Sequence, residues 1–187
     1  MIPDVLEHRL AEHCAPTLLG AKAASLLSLS REEFPELPEA LRRYNRTLYR
    51  TGLRFLILRE TSQRSLILVF RSALLRSRLN TAGAKALLQR FDYPETDCLG
   101  VLLRRLKKRF TPGGDFPHEI GLFLDYPPED VEAFIAGSSE CKLCGYWKVY
   151  GDVDGARERF ACYDACRLCL CRMLAAGNTI SQLLQTA

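Results

Sequence analysis

Two apolar runs separated by four polar residues constrain this chain more than any other feature. Leu53–Glu60 and Ser65–Arg71 flank Thr61-Ser-Gln-Arg64. Both runs are short and rich in Leu, Ile, Val and Phe, the pattern of two strands joined as an antiparallel hairpin. They are apolar on both faces, so the hairpin needs cover on each side and belongs at the centre of a small sheet. Helices on either side in sequence supply that cover, so the chain reads as a single α/β (α+β) domain over residues 1–187. Its 187 residues, 48% hydrophobic and 26% charged, are enough for a core of that kind without disulfides or metal.

The flanking elements follow from periodicity and breakers. Ile2, Val5, Leu6 and Leu10 recur at helical spacing, and Pro16 predicts a stop near His13, leaving Cys14 just past the helix end. Residues 17–29 read as a turn or short helix and then a strand over 25–29. Pro38 opens a helix with Leu37, Leu41, Tyr44 and Leu48 on one face and Gly52 as its stop. Further helices are predicted over 72–79, 81–91 and 97–110, with Thr81 and Thr96 as N-caps. Residues 111–117 form a Gly/Pro loop, and Pro117 starts a short helix carrying His118 and Glu119. Pro127 and Pro128 open another helix ending at Gly137. Tyr146–Tyr150 alternates as a strand that joins or flanks the sheet, and a long helix runs from Asp152 or Asp154 to Gly177.

Several function classes are not supported. The longest apolar run, Leu66–Phe70, falls far short of the roughly 20 residues of a membrane span, so no membrane association is expected. The N-terminus is acidic and then helical, without a secretory pattern, which predicts a cytoplasmic protein with reduced thiols rather than a disulfide framework. P-loop, Rossmann and Gly-x-Ser-x-Gly fingerprints do not occur. Charge is uneven: residues 1–113 carry 20 basic and 11 acidic side chains, and residues 114–187 carry 6 and 11.

Three stretches resemble a bacterial domain-of-unknown-function family common in anaerobes. Phe116-Pro-His-Glu-Ile-Gly-Leu-Phe-Leu-Asp-Tyr-Pro127 is similar to its signature, which ends Leu-Gly-Tyr-Pro, so Asp125 stands where the motif has glycine. Cys14-Ala-Pro-Thr-Leu-Leu-Gly-Ala-Lys22 and Gly145-Tyr-Trp-Lys-Val-Tyr150 resemble its other two blocks, in the same order. The resemblance implies shared positions and no assigned activity.

Four groups of residues could carry chemistry. Cys14 and His118 could pair as nucleophile and base, with Glu119 orienting the ring or serving as a first-turn charge and Lys22 lowering the thiol pKa. A small buried thiol and a capping histidine account for the same residues. Six cysteines lie in a cysteine-rich segment, residues 139–175. Within it Cys141-x-x-Cys144 and Cys166-x-x-Cys169 have the spacing of a four-thiolate zinc or iron–sulfur site. Cys162, Cys166 and Cys169 also form one helical stripe, continued by Met173, that would equally suit packing. Arg104-Arg-Leu-Lys-Lys-Arg109 is the basic face of a helix over 102–110, suited to a protein partner; without a nucleic-acid fold signature, nucleic acid is not an expected partner of this chain. Trp147, between Tyr146 and Tyr150, fits a strand packed on the last helix or the wall of a flat-ligand pocket. Two functions follow. One is a thiol- or metal-dependent redox or enzymatic protein using the Cys14/His118 region. The other is a non-enzymatic metal-thiolate or partner-binding module.

Overall fold

The computed structural model describes residues 2–111 and 114–185. Pro112 and Gly113 of the expected loop lie outside the described residues. In chain order the elements are α1 (Ile2–Leu18), β1 (Ala24–Ser30), α2 (Leu37–Thr47), a 3₁₀ turn (Tyr49–Thr51), β2 (Leu53–Glu60) and β3 (Arg64–Arg71). Then come α3 (Ser72–Leu79), α4 (Ala82–Gln89), α5 (Leu99–Arg109), α6 (Ile120–Phe123), α7 (Pro128–Ile135), β4 (Leu143–Cys144), β5 (Lys148–Val149), α8 (Val153–Ala175) and α9 (Ile180–Gln185). The fold is α+β. Two compact units divide it: Met1–Ser72 with Tyr163–Ala187, and Ala73–Cys162. Among the described residues no helix is long and apolar enough to cross a membrane.

The first unit is built on the predicted hairpin. β2 and β3 pair antiparallel, with a register shift between Ile57 and Arg59. β1 pairs with the other edge of β3, so the sheet order is β1-β3-β2 and β3 alone is central. β2 takes an edge, which explains why its residues are less completely buried than those of β3. The core combines Leu6, Leu10 and Leu18 of α1, Leu41 and Tyr44 of α2, and Ile67 and Val69 of β3. Leu170 and Leu174 of α8 and Ile180 and Leu184 of α9 complete it.

Two expectations fail here for physical reasons. α1 does not stop near His13; it runs through Pro16 to Leu18, so Cys14 lies inside the helix. A helix-interior proline costs about 3 kcal/mol, but a buried leucine returns about 1.5–3 kcal/mol. Leu18 is fully buried, and the Arg71 guanidinium donates to the carbonyls of Thr17 (2.8 Å) and Leu18. Helix α9 has no counterpart among the expected elements, yet it carries a capping box. The Thr179 hydroxyl accepts from Gln182 N (3.2 Å), and the Gln182 side chain accepts from Thr179 N (2.9 Å).

The second unit holds α3 to α7 and the β4–β5 hairpin. The predicted strand over Tyr146–Tyr150 shrinks to Lys148–Val149 and pairs with Leu143–Cys144, not with the three-stranded sheet. It ends because the backbone N–H groups of Tyr150 and Gly151 turn to the Asp130 carboxylate, each at 2.8 Å. Thr96 is not the cap of α5: Cys98 holds that position, and Thr96 accepts from Cys98 N at 3.1 Å.

Candidate functional site

The second unit contains a cavity of about 370 Å³. Its chemistry begins with one carboxylate. Asp130 lies in the first turn of α7 and is almost fully buried. Its Oδ2 accepts from Trp147 Nε1 at 2.7 Å, and its Oδ1 accepts the two backbone N–H groups that end β5. A buried charge needs several donors to be tolerated, and Asp130 has three. The consequence is positional: the indole of Trp147 is held as a wall of the cavity.

Two other rings pack on that indole. Tyr126 stacks on Trp147 with centroids 5.2 Å apart, and Phe160 meets it edge-on at 4.6 Å. The Tyr126 hydroxyl donates to the Tyr146 carbonyl at 3.1 Å, and burial pushes that phenol up to about 12. At the opening, the His118 imidazole lies between Phe116 and Phe134, with centroids at 5.9 and 5.2 Å. Lys148 reaches over Phe134, its Nζ 5.6 Å from the ring centroid. His118, Lys148 and Phe134 are exposed, while Trp147 is 7% exposed. The cavity therefore has an apolar, aromatic interior and two nitrogen-bearing side chains at its rim.

Two backbone features make room for it. A Cβ on Gly121 would lie 2.8 Å from Val131 Cγ2 and 3.2 Å from Tyr126, two of the lining residues. Asp125 adopts φ 64°, the left-handed region where glycine is ordinarily favoured. It closes α6 as a Schellman turn: Tyr126 N donates to Gly121 O (3.0 Å) and Asp125 N to Leu122 O (3.2 Å). Aspartate tolerates this conformation better than most residues, and here its carboxylate pairs with Arg78 Nε at 2.9 Å. Asp125, where the resemblance implies a glycine, thus takes a backbone conformation that glycine favours.

The expected site residues fall in different settings. Cys14 belongs to the first unit and His118 to the second. Cys14 is completely buried, and burial pushes its thiol from 9.0 up to about 12. Lys22 opposes that shift, as expected of a neighbouring cation, but desolvation is the larger effect. Lys22 is itself buried, with its ammonium 5.6 Å from the centroid of the Tyr163 ring. His118 precedes α6 in a turn rather than sitting inside its first turn. Glu119 is fully buried, and its Oε1 accepts from Arg109 Nε at 2.8 Å and Tyr93 OH at 3.2 Å. The carboxylate is thus directed to Arg109 and Tyr93 rather than to the His118 ring. Those same contacts raise the Tyr93 phenol, burial first and the carboxylate second, and raise the Arg109 guanidinium through the hydrogen bond.

The cysteines do not assemble as expected of a metal set. Cys141 and Cys144 belong to the second unit, and Cys166 and Cys169 to the first. Among the described residues no three His, Cys, Asp or Glu side chains gather where they could hold a metal ion. The stripe reading also needs correction. Cys162, Cys169 and Met173 are exposed, whereas the buried face of α8 is Tyr163, Leu170 and Leu174, with Cys166 and Cys171 partly buried beside the first unit's core. Of the basic run on α5, Arg109 is engaged by Glu119 and Arg105 by the Phe91 carbonyl and Asp92, while Arg104, Lys107 and Lys108 face solvent.

The family description "Protein of unknown function (DUF3793)" matches residues 10–184. The chain belongs to this family. The comparisons with curated proteins and with solved structures returned no match. Eight of the eleven residues lining the cavity lie in two of the stretches that carry the resemblance, Phe116–Pro127 and Gly145–Tyr150. Asp130, which fixes Trp147, carries no sequence signal beyond its place in a first helical turn. Phe134 is marked in the sequence only by its spacing from Asp130 and Val131.

Proposed function

We propose that this protein binds a small planar organic molecule in the cavity of its second unit, with the acidic group of that molecule turned to Lys148 and His118. The observation that carries this reading is a cavity whose one buried carboxylate, Asp130, is fully occupied by Trp147 Nε1 and two backbone N–H groups. That leaves no interior charge to recognise a cation. The interior favours rings, because aromatic walls bury large flat area and prefer offset or edge contacts. The rim favours an anion, because Lys148 is a point charge on a flexible stem. Most pockets for small ligands combine an apolar lining with a few placed polar groups in this way.

Thiol chemistry at Cys14 is the less favoured reading, since a nucleophile needs an accessible, ionised thiol and burial holds this one protonated. Trp147 is the sole tryptophan, so its emission reports the cavity without labelling. Titration with 2-naphthoate should quench that emission saturably, and the neutral 2-naphthamide should bind at least about fivefold more weakly. Lys148→Ala should remove the difference between the two probes. Absence of saturable quenching by either compound would reject the reading.

A further inference from the structure

The first unit carries a basic groove that the cavity does not involve. Between Ala40 and Arg59 the chain has six arginines and no acidic residue. α2 is amphipathic: Leu37, Leu41 and Tyr44 are buried, while Arg42, Arg43 and Arg46 are exposed. The 3₁₀ turn that follows brings Tyr49 and Arg50 round to the same side as Arg46, and β2 adds Arg54. Together they line an open groove of about 830 Å³, with no acidic residue among the described residues of its lining.

The groove is more than a solvated charge run. Tyr49 is 68% exposed, a large apolar ring left open to solvent. The Arg54 guanidinium lies over it, 4.5 Å from the ring centroid. Arg54 is fixed there, because its Nη1 donates to the carbonyls of Tyr49 (3.1 Å) and Leu53 (2.7 Å). Asn45, also in the lining, is locked to Phe55 by a hydrogen bond in each direction, at 2.9 and 2.8 Å. The Thr51 hydroxyl donates to the Leu48 carbonyl at 2.8 Å and holds the turn. The frame is thus preorganised, while Arg46 and Arg50 extend from it as exposed cations. A rigid aromatic platform inside a cationic groove is the arrangement that holds unpaired bases by stacking and their phosphates by charge.

We infer that the groove of α2, the 3₁₀ turn and β2 binds single-stranded nucleic acid, with one base stacked on Tyr49 and the adjoining phosphates on Arg46 and Arg50. The ring and the arginines select among anions. A folded acidic protein would use the charges and leave the ring unused, and a duplex would present no free base face. The basic face of α5 lacks such a platform and is the natural control.

The test is fluorescence anisotropy of the whole chain with a labelled oligonucleotide of about 12 nucleotides, read from about 50 to 200 mM salt. Binding should weaken steeply with salt. Arg46→Gln combined with Arg50→Gln should flatten the log–log slope by about 1.4, that is about 0.7 for each phosphate no longer neutralised. Tyr49→Ala should weaken binding by roughly 5- to 100-fold, while Tyr49→Phe keeps it. Arg104→Gln with Lys108→Gln should change little. The substituted side chains are exposed, and circular dichroism checks the folding of each variant; Tyr49→Phe and the arginine pair decide the matter if Tyr49→Ala does not fold. No binding at low salt overturns the proposal. So does equal affinity for polyphosphate or duplex together with indifference to Tyr49→Ala, which would mark a nonspecific anion surface.

Discussion

Each unit buries one glutamate among the described residues, and the two are paired in opposite ways. In the first, Glu7 uses both oxygens: Oε1 accepts from Tyr44 OH at 2.9 Å and Oε2 from Ile180 N at 3.1 Å. In the second, Glu119 takes two donors on Oε1 and leaves Oε2 with no partner. The other buried side-chain polar atom left unpaired among the described residues, Arg105 Nε, is also in the second unit. In the first core, Glu7 has a donor for each oxygen and ties α1, α2 and the start of α9 together. The second unit carries incomplete pairing and an open aromatic cavity. Each unpaired buried group costs about 1–3 kcal/mol, so the second unit retains a destabilisation that the first avoids.

The largest test of this contrast is Asp130→Ala. It strips the acceptor from Trp147 Nε1 and from two backbone N–H groups, and should cost about 3 kcal/mol or more in urea unfolding. Trp147 emission should shift to the red as the ring loosens. An unchanged spectrum and midpoint would mean that Asp130 does not position the indole.

Glu7→Gln comes next, at about 2 kcal/mol: the amide oxygen can still accept from Ile180 N while its nitrogen donates to the Tyr44 hydroxyl, but both hydrogen bonds lose the charge of the carboxylate. Glu119→Gln should cost less, about 1 kcal/mol, since Oε2 opposes no donor and the Arg109 partner is partly exposed. The order of these two amides is the sharpest probe of the comparison, and a reversed order would break it.

A smaller effect concerns pH. The Cys14 thiol is pushed from 9.0 to about 12 by burial. Below pH 9 it is protonated in both states and its contribution to stability is complete. From pH 9 to 12 the unfolded thiol ionises while the folded one does not, so stability falls across that window. Tyr126, raised from 10.0 to about 12, acts in the same direction over the upper part of the window. Thermal melts should therefore decline above pH 9, and Cys14→Ala should make the decline shallower. In the native protein Cys162 and Cys169 should react with iodoacetamide well before Cys14; fast labelling of Cys14 would restore it as a nucleophile.

The smallest stability effect is expected at Lys148→Ala, within about 0.5 kcal/mol, because the side chain is exposed. Its consequence is confined to binding of the naphthoate anion. A drop in stability with probe discrimination intact would assign Lys148 to the fold instead.

Local patterns are enough to specify the β2–β3 hairpin, the helices over Leu37–Thr47 and Ser72–Leu79, and the long α8. These depend on apolar periodicity and on turn residues that act within a few positions, and such signals are present in the chain itself. The capping box at Thr179 is equally local and is enough to mark α9. Pro16 is different: a local breaker signal is overridden because Leu18 is buried and Arg71, over fifty residues away, takes the role of cap. The same distinction governs the chemistry. Cysteine spacing names thiols, but only packing decides that Cys14 is desolvated and that the exposed cysteines of α8 stand off its buried face. Asp130 and Trp147 are seventeen residues apart, as Tyr93 and Glu119 are twenty-six apart, and no spacing rule joins either pair. Burial and hydrogen-bond satisfaction are properties of the folded neighbourhood, so the cavity exists only in the tertiary structure, although most of the residues lining it stand in stretches that the sequence already marks.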